Sequence, residues 1–382
     1  MARLDMSKLA LPKLTQIQNT DALRHLVSQL QNTKLIAIDV ESNGLFAYYE
    51  RVCLIQLSTS KNDYLLDPLK IKDMSPLGEL TANPNIEFVF HAAEFDIASL
   101  KRDFGFEFAL IFDTMMAARI LGYQKFGLAP MIDQYFGVKL DKKYQKANWG
   151  KRPLSAEQKH YAQLDTHFLP LLHDILYEEL KQKNALAEAC EIFDQLRKTR
   201  PTVHEFEPEG YWYLADANKL RPRQMACLRE LYHWRENIAR KRDIPRFKVL
   251  SDGALVKLAK NRPTSLNELK QKRLLSKKLV ERYGKSVLAA LDVGAKAEIP
   301  TRPKNHSYSR PTRHKYEKLK KWRKNRADER GVESDIIVPG QVLWAIAQKA
   351  PKTLDELEAV GELGPWRIAE YGQEILTVLN GE

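Results

Sequence analysis

Only three cysteines occur in the 382 residues. Cys53, Cys190 and Cys227 are scattered, with no Cys-x-x-Cys pair among them. That spacing excludes both a disulfide framework and a thiolate zinc site, and it fits a reducing cytosol. Residues 1–14 contain no continuous apolar segment of the signal-peptide kind. No later run approaches the roughly 20 apolar residues of a membrane helix. A soluble, cytoplasmic protein with no membrane partner is therefore expected. Disorder is excluded in turn, because 44% of the residues are hydrophobic. The length exceeds the usual domain of about 100–200 residues, so more than one domain is expected.

Net charge is missing from the first half. Residues 1–200 hold 25 basic and 25 acidic side chains; the other 36 basic and 24 acidic residues carry the whole +12. A neutral body with a basic appendage suits a protein that holds a polyanion, although basic surface also serves solubility alone.

Four short apolar runs, at 34–40, 52–58, 62–66 and 86–90, read as strands. Helical patterning follows at about 93–104, 113–121, 128–136, 155–181 and 184–198, which predicts a mixed α/β body. Pro201, Pro208 and Gly210 then interrupt the patterning. Beyond them the chain reads as helical and repeats itself. An ungapped offset of 88 residues aligns Leu231, Trp234, Arg235 and Asn237 with Leu319, Trp322, Arg323 and Asn325. The same offset pairs Leu255, Ala259 and Pro263 with Leu343, Ala347 and Pro351, and Tyr283-Gly284 with Tyr371-Gly372. Two copies of one small helical domain are expected. Ser265-x-x-Glu268 and Thr353-x-x-Glu356 are matching helix-start patterns. The proline-containing, apolar-poor stretch 293–312 reads as a linker between the copies.

Asp39 and Glu41 end the first strand two positions apart, so period-2 geometry places both carboxylates on one face, able to share a cation. A strand-end turn with two solvated acids has the same sequence. Asp96, in His91-Ala-Ala-Glu-Phe-Asp-Ile-Ala-Ser-Leu100, lies in the first turns of a helix, where the helix dipole alone favours a carboxylate. His91 is read as structural. Tyr161 and Asp165, four apart on a helix, share a face. Upstream, Lys142, Lys143, Lys146, Trp149 and Arg152 interleave cations with an aromatic, as a single-stranded nucleic-acid site would, or as a solvated loop would.

In this order, Asp39-x-Glu41, His91-x-Ala-x-x-Asp96-x-x-x-Leu100 and Tyr161-x-x-x-Asp165 match the three DEDD exonuclease motifs of the tyrosine-bearing subtype. From end to end the chain resembles ribonuclease D, whose nuclease domain precedes two HRDC domains. Val40 departs from the usual Thr. The resemblance implies a ribonuclease H-like exonuclease core at 1–208, a mixed sheet flanked by helices. Two all-α HRDC domains, 209–292 and 313–382, would follow, joined by the 293–312 linker. It implies a metal-dependent 3′→5′ exoribonuclease releasing 5′-mononucleotides and trimming the 3′ ends of precursor tRNA and other structured RNAs. Asp39, Glu41, Asp96 and Asp165 would hold two divalent ions, Mg²⁺ or Mn²⁺, and Tyr161 would orient the attacking water. Trp149, Arg152, Lys143 and Lys146 would bind substrate. No obligate protein partner is expected. The basic runs Arg240-Lys-Arg242 and Lys318–Arg326 suit phosphate contact. A DNA exonuclease uses the same metal site, and a silent RNA-binding scaffold is the alternative outside enzymes.

Overall fold

The computed structural model describes residues 11–201, 205–303 and 308–380. The chain falls into two units, one of Met1–Ser42, Val52–Thr202 and Ser307–Glu382, the other of Asn43–Arg51 and Val203–His306.

The first unit is built on one six-stranded mixed sheet: β1 (Thr15–Ile17), β2 (Leu35–Ser42), β3 (Val52–Ser58), β4 (Asp63–Leu66), β5 (Glu87–Phe90) and β6 (Ile111–Asp113). Their spatial order is β1-β4-β3-β2-β5-β6. β2-β3-β4 is an antiparallel meander, while β5 and β6 extend it in parallel on one side and β1 on the other. Every residue of β3 and β4 is buried, as a strand covered on both faces requires. Around the sheet run α1 (Thr20–Leu30), α2 (Ser75–Thr81), α3 (Ala93–Phe104), α4 (Thr114–Ile120), α5 (Leu128–Phe136), α6 (Ala156–His167), α7 (Leu169–Gln182) and α8 (Leu186–Arg197). The single helix expected over 155–181 is two. Pro170 has no N–H to give to Thr166, so the ladder breaks around Phe168.

The second unit carries α9 (Pro222–Arg242), α10 (Arg246–Val249), α11 (Asp252–Asn261), α12 (Leu266–Gln271) and α13 (Lys277–Lys296). Back in the first unit lie α14 (Arg310–Arg330), α15 (Ser334–Ile337), α16 (Gly340–Lys349), α17 (Leu354–Glu358) and α18 (Pro365–Asn380). Each of these five begins 88 residues after its counterpart. The shared contacts show why the repeat is legible. Arg235 donates to the Leu250 carbonyl at 3.0 Å, and Arg323 to that of Val338 at 2.8 Å. Trp234 meets Tyr283 edge-on as Trp322 meets Tyr371. A Cβ on Gly284 or Gly372 would come within 2.7 Å of a Leu266 or Leu354 methyl, so a larger residue there must push that leucine aside. Ser265 and Thr353 both cap, but the glutamate three residues on reaches back to the N–H of Thr264 or Lys352. Helix α13 continues through Lys296 and α14 starts at Arg310, so the connector is shorter than the expected 293–312 linker.

The copies differ in what they hold. In the second unit, Asp243 accepts the N–H groups of Tyr48 (2.9 Å) and Tyr49 (3.0 Å), and buried Glu236 binds Arg246 and the Tyr48 hydroxyl. The equivalents of Glu236, Asp243 and Arg246 are Lys324, Gly331 and Ser334. The second copy packs instead on the nuclease body within its own unit. Arg330 forms a two-pronged pair with Glu188, whose side chain is 1% exposed. Arg367 pairs with Glu191, and Arg119 reaches Glu333 and Asp335. No helix among the described residues is long and apolar enough to cross a membrane.

Candidate active site

Asp39 and Glu41 flank Val40 on β2. Val40 is packed in the core, so the pleat turns both carboxylates to the opposite face. Asp39 stands directly across from Gln56 on β3.

Asp96 arrives on the first turns of α3. That helix starts abruptly from Ala92, held in the left-handed region at φ 71°. Such a turn is strained for alanine and must be held by its surroundings. The Asp113 carboxylate holds it, accepting the N–H of Ala92 at 3.2 Å and of Ala93 at 2.7 Å. The same carboxylate caps α4, accepting from Met115 at 2.8 Å and Met116 at 3.0 Å. One buried acid thus aligns two helix starts.

Tyr161 and Asp165 stand on α6, which opens with a reciprocal capping box: Gln158 N–H donates to Ser155 Oγ (3.2 Å), and Ser155 N–H to Gln158 Oε1 (3.0 Å). One helical turn apart, their side chains hydrogen-bond to each other.

These elements converge. Asp39, Glu41, Tyr161 and Asp165 line one cleft of about 460 Å³ with His91, Met115, the start of α5 from Gly127 to Pro130, and Lys142. Asp96 is 6% exposed, and its carboxyl lies within electrostatic reach of Asp39, Glu41 and Asp165. Burial lifts Asp39 to about 7. Burial, then the charges of Asp39 and Asp165, lifts Glu41 to about 10. Asp96 and Asp165 are pushed well above the usual carboxylate range by burial and then by neighbouring acids, Asp39 first. Tyr161 is raised by burial and by Asp165, Glu41 and Asp39, so its phenol stays protonated at neutral pH. The charges that set the carboxyl shifts are all acidic.

Four crowded carboxyls without a basic counter-charge have the chemistry that suits a hard divalent cation. Among the described residues, no group of three or more acidic, histidine or cysteine side chains is positioned as it stands to hold a metal ion. The Asp39–Glu41–Asp96–Asp165 oxygens are close enough to repel one another, and a cation would relieve that repulsion.

Two expected substrate contacts are corrected. Trp149 is 1% exposed and packs with Cys53, Leu54, Leu65 and Ala162, its ring centroid 6.0 Å from that of Tyr161. It backs the tyrosine and offers no face to a base. Arg152 spends all five N–H donors within the fold, on both Asp67 oxygens and on the carbonyls of Cys53, Trp149 and Lys151. None is left for a phosphate. Lys143 and Lys146 are exposed, and the Lys143 ammonium lies 5.2 Å over the Tyr144 ring.

Two residues escaped sequence reasoning. Asp113 is one, and the Asp-Thr before a helical run is the N-cap signal that marks it. Gln56 is 0% exposed, and its amide finds no partner among the described residues although it faces Asp39 in register. His91 is held as expected, its Nδ1 2.9 Å from Thr114 Oγ1. Thr114 gives its one proton to the Phe90 carbonyl, so His91 Nδ1 must be the donor and Nε2 a free acceptor. Nε2 is buried and unpartnered, and burial lowers the ring pKa to about 4.

Comparison with known proteins agrees with this layout. A 3′-5′ exonuclease family model matches residues 14–181, and an HRDC domain model matches 224–291 and 315–379. The exosome complex exonuclease RRP6 of Saccharomyces cerevisiae is 36% identical over 266 residues, covering 65% of this chain and 36% of that protein. The chain spans 29% of the exosome complex component 10 homolog of Caenorhabditis elegans. Ribonuclease D of Haemophilus influenzae is 31% identical over 298 residues, covering 77% of this chain and 74% of that one. Among solved structures, Escherichia coli RNase D aligns over 97% of this chain and 99% of its own, with a TM-score of 0.70 and 27% identity. The catalytic core of RRP6 from Trypanosoma brucei aligns over 75% and 81%, with a TM-score of 0.68 and 32% identity. With its exonuclease body, paired HRDC domains and full-length alignment in hand, the chain belongs to the ribonuclease D family.

Proposed function

We propose that the chain is a 3′→5′ exoribonuclease that releases 5′-mononucleotides and trims 3′ extensions from precursor tRNA. The convergence of Asp39, Glu41 and Asp165 on one cleft, with buried Asp96 within their electrostatic reach and the Tyr161 hydroxyl bonded to Asp165, carries this reading. The four carboxylates would hold two divalent ions, Mg²⁺ or Mn²⁺. Bound there, such ions supply charge neutralisation and lower the pKa of water.

The chain's own residues do the rest. Tyr161 remains a phenol whose proton is directed to Asp165, so its oxygen accepts a hydrogen bond from the attacking water and orients it. Buried Trp149 and the capped start of α6 hold the ring in place. Asp113 fixes the entry of α3 and with it Asp96. Lys142, on the rim, suits a phosphate of the incoming strand. A nuclease limit of 1–208 accompanies this reading, with the expected HRDC limits of 209–292 and 313–382 widened to take in the whole of α13 and α14.

The test compares 3′-extended tRNA with single-stranded DNA of matched length. Wild-type protein with Mg²⁺ should shorten the RNA, and Tyr161→Phe should retain metal binding while losing most of the rate. Preferred degradation of the DNA would overturn the RNA assignment. Unchanged turnover by Tyr161→Phe would reduce that tyrosine to packing.

A further inference from the structure

The second helical copy carries an aromatic stack that its own fold does not require. Trp344 on α16 lies between two tyrosines. Tyr316 of α14 stacks on one face at 3.8 Å with planes 8° apart, and Tyr308 stacks on the other at 4.2 Å and 12°. Tyr316 and Trp344 are partly buried and belong to the edge of the domain. Tyr308 does not: it lies just before the Ser309 cap of α14 and is 41% exposed. No counterpart exists in the first copy, where the positions 88 residues earlier are Leu220, Leu228 and Val256.

The surroundings are cationic. Arg313 and Lys320 stand three before and four after Tyr316, so they flank it on the same helix face, and both are exposed. Lys324, four beyond Lys320, continues that face, and Lys321 lies to its side; both are exposed. None of these four forms an ion pair among the described residues, whereas Arg323, Arg326 and Arg330 of the same helix are committed to Val338, Glu374 and Glu188. Helix α14 thus divides its cations: the arginines on its inner side build the fold, and Arg313 with the lysines is left to solvent.

Parallel rings a few ångströms apart, bordered by unpaired cations, are what a single-stranded nucleic acid recognises: bases stack on the rings and phosphates meet the cations. We propose that the Trp344 face now covered by Tyr308 is a base-stacking slot for single-stranded RNA, with Tyr308 as the placeholder that a nucleobase displaces. Arg313 and Lys320 contact the flanking phosphates. The choice of RNA as occupant rests on the exoribonuclease reading; the slot rests on the stack and the charge.

The test uses full-length Asp39→Asn protein, so that the probe survives, and a fluorescent single-stranded RNA of about twelve nucleotides followed by anisotropy. Trp344→Leu should weaken binding roughly tenfold, the usual loss of one stacked base. Arg313→Gln with Lys320→Gln should weaken it and lower the salt slope by about two. Tyr308→Ala, at an exposed position outside the buried cluster of the domain, should tighten binding. Unchanged affinity in Tyr308→Ala, or weaker binding, would overturn the proposal even if Trp344→Leu proved unstable. A matched single-stranded DNA bound more tightly than the RNA would overturn the occupant. Hydrolysis by the otherwise wild-type protein is read separately, so a failed slot leaves the nuclease reading intact.

Discussion

Asp113 offers a graded test of how the site is assembled, because its four bonds are distributed unequally over its two oxygens. Oδ1 accepts from Ala92, Met115 and Met116, and Oδ2 accepts from Ala93 alone. Asp113→Asn can keep the three bonds on its carbonyl oxygen but turns an amide NH₂ toward the Ala93 N–H. One buried donor is then left unmet, at a cost of about 1–3 kcal/mol. Asp113→Ala removes all four bonds and the cap of α4, for about 3–5 kcal/mol. It also frees Ala92 to leave its left-handed conformation. A chain of two units does not unfold in one step, so the local readout is amide hydrogen exchange over residues 92–104 and 115–120. Protection there should fall modestly in the Asn variant and steeply in the Ala variant. The rate on RNA should fall in the same order, kcat more than KM, because Asp96 loses its position. Equal exchange in wild type and both variants, with equal rates, would refute the claim that Asp113 aligns the site.

Arg152→Lys should lower the thermal midpoint of the nuclease by several degrees while leaving KM for RNA unchanged, because the five donated bonds are internal; a raised KM with unchanged stability would restore Arg152 as a substrate contact. Glu188→Ala should cost about 3 kcal/mol, leaving Arg330 without its carboxylate, and should expose residues 310–380 to limited proteolysis; resistance equal to wild type would show that the pair does not hold the second HRDC domain. His173 gives a pH signature. Burial alone would lower its pKa, but the carboxylates of Asp174 at 2.9 Å and Glu87 at 3.0 Å raise it to about 9. A folded-state pKa above the unfolded value of about 6.5 contributes stability fully below pH 6.5, and that contribution fades as pH rises through about 9. Denaturation midpoints from pH 6 to 10 should fall over that window in wild type and stay flatter in His173→Gln; parallel curves would contradict the linkage.

Much of the architecture was readable because its cause is local or repeated. The strands at 52–58 and 86–90 and the helices at 93–104 and 128–136 are apolar runs with clear ends, and the structure places them within a residue. The 88-residue offset reproduces even the starts of the short helices. Three-residue β1 and β6 were missed because neither has enough length for a pattern; pairing with β4 and β5 makes them strands. Helix α1 was missed despite its signals: Asn19 caps it, and Leu23, Leu26, Val27 and Leu30 form its buried stripe. Trp149 and Arg152 were misread because an aromatic beside cations looks the same in sequence whether it faces a base or the core. Burial depends on β3 and β4, which lie some 85–100 residues away in the chain. The acidic cluster is the opposite case: each carboxylate is unremarkable alone, and the fold brings the four within reach of one another.

The central claim is that this cluster hydrolyses RNA from its 3′ end with divalent metal. The most direct measurement incubates one single-stranded RNA, labelled separately at the 5′ and 3′ ends, with wild-type and Asp39→Asn protein in Mg²⁺ or chelator. The expected result is a descending ladder from the 5′ label and immediate 5′-mononucleotide from the 3′ label, only with wild type and metal. Ladder formation that persists in Asp39→Asn, or in chelator, would contradict the assignment of the site.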